Sequence, residues 1–464
     1  MGMALRPEKL MDAIAALARH VVRTRFDDLP DKAVAAARTL ILDSLGVGVV
    51  GSAGPWAGEL IRSASGWGRG EDARVWVHGA RLPAPAAALC NAYQVHNSEF
   101  DCIHERAVVH PMAVLLAAAL AHAERAGGVA GRVLITAVVL GVDVGTSLGI
   151  ASRAPLRFFR PATAGAFAAT AAIGRLMGFD EETLISAFGA VLGQLCGTMQ
   201  AHSEGSLLLA LQIGFNARNA LVACDLSANG LTGPQRLLEG PFGYFPLFEG
   251  DYELGPVLGE LGQVWRIGEV ALKPFPSGRA THGMLDGVLA LRQEHGFGAA
   301  EVARVEAHVP PLTQRLVARP AQAGMSANQA RLSAPYVIAC ALLEAGVDVD
   351  DFRPDALRDP ARLALAERVT VRADDNPDPN ALAPIEVAVV LKDGARHAAQ
   401  VSAVYGSPAR PMGREAQLAK FRRNWISGAR PLPEAAGEQL LATVDRLETI
   451  SDVTALVDLM VLPA

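Results

Sequence analysis

Along the first 265 positions, apolar residues recur at the three- and four-residue spacing of helices. DKAVAAARTLILDSLGVGVVG carries such a stripe, with Pro30 at its start, a good first helical position. MAVLLAAALAHAERAGG opens behind Pro111 and is closed by Gly127 and Gly128. RVLITAVVLGVDVGTSLG, ATAGAFAATAAIGRLMG, ETLISAFGAVLGQLCGTMQ and IGFNARNALVACDLSANG follow. Many of these are apolar nearly all round and rich in Ala and Gly, which suits helices packed on several neighbours. Near residue 265 the period changes to two: VWRIGEVALK, ARVEAHV, ERVTVRA, IEVAVVL and HAAQVSAV read as strands. Lys392-Asp393-Gly394 reads as a hairpin turn between the last two. Helices around MLDGVLALRQEH and APYVIACALLEAG interleave, and from Met412 the pattern is helical again. The predicted fold class is mainly α: a large all-helical domain formed by residues 1–268 and 406–464, with a smaller α+β domain, 269–405, inserted as a lid.

A chain of 464 residues exceeds one ordinary core, in keeping with two domains. The net charge of -6, with no basic block, gives nucleic acid no footprint. Cys90, Cys102, Cys196, Cys224 and Cys340 are scattered, odd in number and without a CxxC pair, so a reducing compartment is expected. MGMALRPEKLMDAIAALARH reads as an amphipathic helix rather than a leader. The longest apolar stretches fall short of the ~20 residues of a membrane span. A soluble, cytoplasmic protein with no membrane partner is therefore expected.

Charged residues are only 19% of the chain, which makes one segment conspicuous. Ala92 to Pro111, AYQVHNSEFDCIHERAVVHP, holds His96, His104 and His110 together with Glu99, Asp101 and Glu105. Burying such groups idly costs several kcal/mol each, so their concentration points to use. His110 precedes Pro111 and so stands at a helix N-terminus, where the dipole disfavours imidazolium and suits a general base. His104, Glu105 and His110 have a ligand's chemistry, but their spacing matches neither HExxH nor an EF-hand, and no metal is expected.

KPFPSGRATHGMLD crowds Lys273, Ser277, Arg279 and His282 around a loop that leads into a helix. An arginine fork, a lysine point charge and amides at a helix start are the means of holding a carboxylate. In ARLSAPYVIACALLEAG, Tyr336 is either a core aromatic with a satisfied hydroxyl or a group that reaches substrate; the sequence leaves both open. No GxGxxG between strand and helix, GxxxxGK[ST] or GxSxG occurs, so neither a nucleotide cofactor nor a serine nucleophile is indicated.

Together these segments resemble the MmgE/PrpD family, which includes 2-methylcitrate dehydratases, cis-aconitate decarboxylases and iminodisuccinate epimerases. The resemblance runs from ILDSLGVGVVGS through NAYQVHNSEFDCIHERAVVHP, FRPATAGAFAATAAIGRLMGFD, ANGLTGP, KPFPSGRATH and ARLSAPYVIACALL to KFRRN. It implies a helical domain with an α/β lid, a homodimer, a site between the domains, and chemistry on small carboxylates without metal or organic cofactor. His110 matches the family's HP histidine, Lys273 its KxxP lysine and Tyr336 the tyrosine of its PY helix. Asp101, His104 and Glu105 fit its DFDDTHE run, and Arg279 and His282 its lid loop. Glu99, Cys102 and Ile103 depart from DFDDT. Arg160 replaces a histidine, and Leu209 and Gln212 stand where a lysine and a histidine are usual.

The expected function is a cofactor-independent lyase, a hydro-lyase or a decarboxylase, that moves a proton next to a carboxylate. His110 is its expected acid or base, with Tyr336 a second acid and Glu99 and Asp101 orienting histidines or taking a proton. Lys273, Arg279 and Arg160 hold carboxylates, and His104, Ser277, His282 and Gln212 complete the binding set. An epimerase of a small dicarboxylate, and a catalytically weak relative that only binds a carboxylate, are the alternatives.

Overall fold

The computed structural model describes residues 12–461. Helices α1 (Ile14–Arg23), α2 (Asp31–Gly51) and α3 (Ala57–Ser65) precede a short antiparallel ribbon, β1 (Ala73–Arg74) and β2 (Arg81–Leu82). Then come α4 (Ala84–His96), α5 (Pro111–Arg125), α6 (Gly131–Ala151), α7 (Arg160–Leu176), α8 (Glu181–Leu192), α9 (Gln200–Glu204), α10 (Leu208–Ala228) and α11 (Gly255–Gly259). α4, α5, α7 and α10 pack on one another, and α4, α5 and α7 are buried along nearly their whole length. Small residues permit the close approach. A Cβ on Gly51 would lie 1.7 Å from the Gln94 carbonyl oxygen, and Asn97 Nδ2 donates to the Gly51 carbonyl at 2.8 Å. This contact fixes the end of α4, where His96 stands.

α2 and α6 are each 21 residues and apolar enough to cross a membrane by length and composition. This corrects the expectation that every apolar stretch is too short. Both are mostly buried within the helical core, which accounts for their all-round apolarity.

The second part contains α12 (Arg279–His295), β3 (Val302–Val309), α13 (Pro311–Val317), α14 (Ala327–Arg331), α15 (Ala334–Glu344), α16 (Pro360–Ala366), β4 (Val369–Ala373), β5 (Ile385–Leu391) and β6 (Arg396–Val401). The four-stranded sheet has the order β4-β3-β5-β6; β3 and β4 are parallel and the other pairs antiparallel. The β5–β6 turn falls at Lys392–Gly394, with Gly394 at φ +93. Ile385, Val387 and Val389 of β5 share a core with Met284, Leu285 and Val288 of α12 and with the apolar residues of α15. The chain then returns to the helical part through α17 (Arg414–Ile426), α18 (Glu434–Asp445) and α19 (Thr454–Met460). α17 packs on α2, and α19 on α5.

The run VWRIGEVALK is not a strand. Arg266–Glu269 forms a 3-10 turn, and only Ala271 pairs, as a single bridge to Ile103. Arg266 and Glu269 form an ion pair three residues apart, a spacing that a strand would send to opposite faces.

Candidate active site

The loop between α4 and α5 carries the acids and imidazoles. It turns twice through left-handed conformations, at Glu99 (φ +53) and Val108 (φ +52), which are uncommon for residues with a Cβ. The His104–Val109 and Ile103–Ala271 bridges pin it. From behind, Lys420 of α17 donates to the Phe100 carbonyl at 2.9 Å, pairs with Asp43 of α2 at 2.7 Å and lies 4.1 Å from the centre of the Phe100 ring. Lys273 arrives from the neighbouring segment, where the Leu272 amide donates to the Gly406 carbonyl. A Cβ at Gly406 would lie 2.1 Å from the Leu272 oxygen, so glycine is required for that approach.

Within this frame the charged groups interlock. His96 Nδ1 and His110 Nδ1 lie 3.0 and 3.1 Å from the same carboxylate oxygen, Asp101 Oδ2. The two rings are 4.8 Å apart, edge to face. If each Nδ1–H is donated to Asp101, each ring keeps Nε2 for other work; His96 Nε2 is buried with no hydrogen-bond partner, 3.8 Å from Glu99 Oε1. Lys273 Nζ donates to Glu99 Oε2 and to the Glu99 carbonyl, both at 3.0 Å.

The two histidines are pushed in opposite directions. Burial lowers the pKa of both. For His96, Asp101 and Glu99 outweigh burial and raise it. For His110, burial together with Lys273 and His96 outweighs Asp101 and lowers it. Burial would raise Glu99, but Lys273 and the two histidines hold it at about 2. Asp101 is likewise kept well below the usual carboxylate range against its burial, by His110 and His96.

His96, Glu99 and His110 line a narrow cavity with room of about 60 Å³ for water-sized molecules. Ile103, Val108, Phe159, Met199 and Leu209 give it apolar walls from the helical part, and Leu316, Val317 and Leu332 from the second part. The start of α12 at Gly278, Arg279 and Ala280 also faces it. The first amides of that helix lack intrahelical acceptors and suit an anion. His96, Asp101 and His110 are near enough to share an ion, their ligand atoms lying within 4.8 Å of one another. Their shared hydrogen bonds already account for that closeness, and the nearby Lys273 ammonium opposes a second cation.

Residues 15–256 match the MmgE/PrpD N-terminal domain and residues 275–446 the MmgE/PrpD C-terminal domain. The chain belongs to the MmgE/PrpD family. Among its relatives, cis-aconitate decarboxylase of Mus musculus is 26% identical over 455 residues, 94% of this chain and 91% of the relative. The Homo sapiens enzyme of the same name is 27% identical over 455 residues, 93% and 91% of the two chains. That of Aspergillus terreus is 26% identical over 462 residues, 94% and 93%.

Several residues expected at this MmgE/PrpD site lie elsewhere. Lys273 and Asp101 are fully buried and act through Glu99 and the two histidines rather than on the cavity itself. The Tyr336 hydroxyl donates to the Asp351 carbonyl at 2.6 Å in the core of the second part, which is the satisfied-aromatic alternative. Arg160 does not stand in for the family histidine as a substrate cation. Its guanidinium is fully buried and donates to Glu249, to Ser152 Oγ and to the Ala107 carbonyl, while Tyr244 donates to the same Glu249. Gln212 is turned to Thr198, whose amide donates to Oε1 at 2.7 Å. Ser277 Oγ is bonded to Thr281, and His282 Nε2 lies 3.2 Å from the Ser277 carbonyl. His104 Nε2 lies 2.9 Å from Glu269, and Glu105 accepts from Arg279 Nε at 2.8 Å. Glu99 lines the cavity, whereas Arg279 lines it at the start of α12 while its guanidinium is spent on Glu105 and on the Tyr405 and Val404 carbonyls rather than left free for a carboxylate.

Sequence reasoning assigned no role to His96, although it stands in the same cluster and supplies half of the Asp101 bridge. It also passed over His202, which faces the cavity, and Lys420, which braces the loop. The scarcity of lysine was a usable signal for Lys420: only Lys9, Lys32, Lys273, Lys392 and Lys420 occur.

Proposed function

We propose that this MmgE/PrpD protein is a cofactor-independent lyase, a decarboxylase or a hydro-lyase, acting on a small carboxylic acid. The observation that carries this reading is the pair of histidines on one carboxylate with pKa values driven apart, the arrangement by which a site obtains a base and an acid at one pH. His110 is the base and His96 the acid. In a dehydration, His110 Nε2 takes the proton from the carbon next to the carboxylate. The C–H electron pair forms the double bond, and hydroxide leaves with the proton of His96 as water. In a decarboxylation, CO₂ departs and the electron pair of the broken C–C bond is protonated by His96. The amides at the start of α12 hold the carboxylate and the developing enolate charge.

The neighbouring rings favour this over an epimerase, which exchanges protons on opposite faces of a carbon and needs its two groups apart. Because the relatives are named cis-aconitate decarboxylases, cis-aconitate is the reference compound to assay, beside dicarboxylates that lack its third carboxylate. Incubation in D₂O followed by NMR should show deuterium in the product of a decarboxylation, at the carbon that is reprotonated, and loss of water without deuterium uptake in a dehydration, with His110→Asn and His96→Asn each inactive. Undiminished turnover in either variant would remove that histidine from the mechanism.

A further inference from the structure

Leu156, Met199, His202 and Leu316 line both the cavity beside His110 and an outer cavity with room of about 390 Å³. That outer space is also lined by Ser203, Gln314, Arg315 and Arg319, and by no acidic residue. Among the described residues neither arginine has an ion-pair partner: Arg315 is exposed, and Arg319 spends Nη2 on the Leu316 carbonyl at 3.2 Å, 3.4 Å from His202 Nδ1. The Arg319 backbone is fixed, because Ser333 Oγ donates to its carbonyl at 2.8 Å. Two unpaired guanidiniums at the opening of a cavity whose inner end holds His110 and the start of α12 are placed to take a second anionic group. Between these ends the walls are apolar, with Leu209 and Ile103 among them.

Resting on the lyase reading, we infer that the substrate is a dicarboxylate with an apolar middle. One carboxylate lies at the start of α12 beside His110, and Arg319 and Arg315 clamp the other at the opening, beside His202. A third carboxylate along the middle would be desolvated against Leu209 and Ile103 without a partner, so tricarboxylates are disfavoured. A monocarboxylate of equal length leaves the clamp empty. Burial and the two arginines keep His202 neutral, with its pKa lowered to about 4, so the clamp's charge comes from the guanidiniums.

Calorimetric titration of the full-length protein with glutarate, tricarballylate and pentanoate tests this. Glutarate should bind more tightly than either of the others. Arg319→Met should weaken glutarate at least about tenfold and leave pentanoate within twofold, the size expected for losing one charge-assisted bond. Arg319→Lys should keep part of the affinity, and Arg315→Met should weaken glutarate less than Arg319→Met. Absence of glutarate binding, tricarballylate binding as tightly as glutarate, or glutarate affinity unchanged in both Arg319→Met and Arg315→Met would overturn the clamp. His110→Asn separates the two readings. If it binds glutarate normally while the wild type neither decarboxylates nor dehydrates any di- or tricarboxylate offered, the lyase reading fails and the clamp stands. If turnover is intact and the arginine variants bind normally, the clamp fails alone.

Discussion

Lys273 donates twice to Glu99, once to the carboxylate and once to the carbonyl of the same residue, each at 3.0 Å. The double bond ties the neighbouring segment to the α4–α5 loop at the residue that turns through φ +53. It also supplies the principal charge that holds Glu99 ionised against its burial. Replacing the lysine leaves a buried carboxylate unpaired, at a cost of about 3–5 kcal/mol. Lys273→Met should lose about that much in urea unfolding, and Lys273→Met with Glu99→Gln should regain most of it. A single variant as stable as the wild type would show that the pair does not hold the loop.

The same carboxylate logic applies to Asp101, with a different readout. Asp101 does not line the cavity, but it sets which nitrogen of His96 and His110 carries the proton. Asp101→Asn keeps the shape and removes the charge, so the ring tautomers are no longer enforced. Positioned proton transfer contributes roughly 10²–10⁴-fold, and kcat should fall within that range with KM changed little. A kcat within threefold of wild type, measured with the substrate identified by NMR, would separate Asp101 from the chemistry.

How much of this was legible in the chain depends on where the determining interaction lies. The helical core was readable because each helix carries its own apolar stripe and punctuation, and the acid–imidazole cluster because polarity is rare elsewhere. Arg160 was not. As a sequence letter it is a cation in a family histidine's place; its partner Glu249 lies 89 residues away, and only folding shows that the charge is spent. Tyr336 failed as a substrate group for the same reason, its acceptor being the Asp351 carbonyl. The strand expected at 264–273 gave way to a local Arg266–Glu269 pair. Arg315 and Arg319, in the unremarkable run RLVARP, gain meaning only when α13 is brought beside α9.

The opposed shifts of the two histidines fix the shape of the pH–rate profile. The base must be neutral, so activity falls as pH drops through the lowered pKa of His110. The acid must be protonated, so activity falls as pH rises through the raised pKa of His96. A bell with one limb on each side of the ordinary histidine value of 6.5 is expected for kcat/KM, its two pKa values belonging to the coupled pair. A profile flat across that range would exclude the pairing of roles.

Acid stability follows from Glu99 with the opposite sign to a histidine. Its carboxyl titrates at about 2 in the fold against 4.5 ordinarily, so the folded state binds its proton less readily than the unfolded chain. The stabilisation is present above the ordinary value and is lost as pH falls from there toward about 2. Thermal melts of wild type should decline over that window, and Glu99→Gln should flatten the decline. Parallel curves for the two proteins would show that Glu99 is not the group responsible.

Arg160 separates a structural cation from a substrate cation. If it replaced the family histidine in binding, Arg160→Met would raise KM and spare stability. The geometry gives the reverse. The guanidinium is enclosed with Glu249, Ser152 and Tyr244, and it donates to the Ala107 carbonyl within the loop that carries His110. Removing it strands the Glu249 carboxylate, and a loss of about 3–5 kcal/mol is expected in urea unfolding. KM per folded molecule should stay within about twofold, because the guanidinium contributes no atom to the cavity. Arg160→Met with Glu249→Leu should recover much of the stability, since a well-packed apolar pair can replace a buried ion pair without loss. A raised KM in the double variant at restored stability would return Arg160 to the substrate.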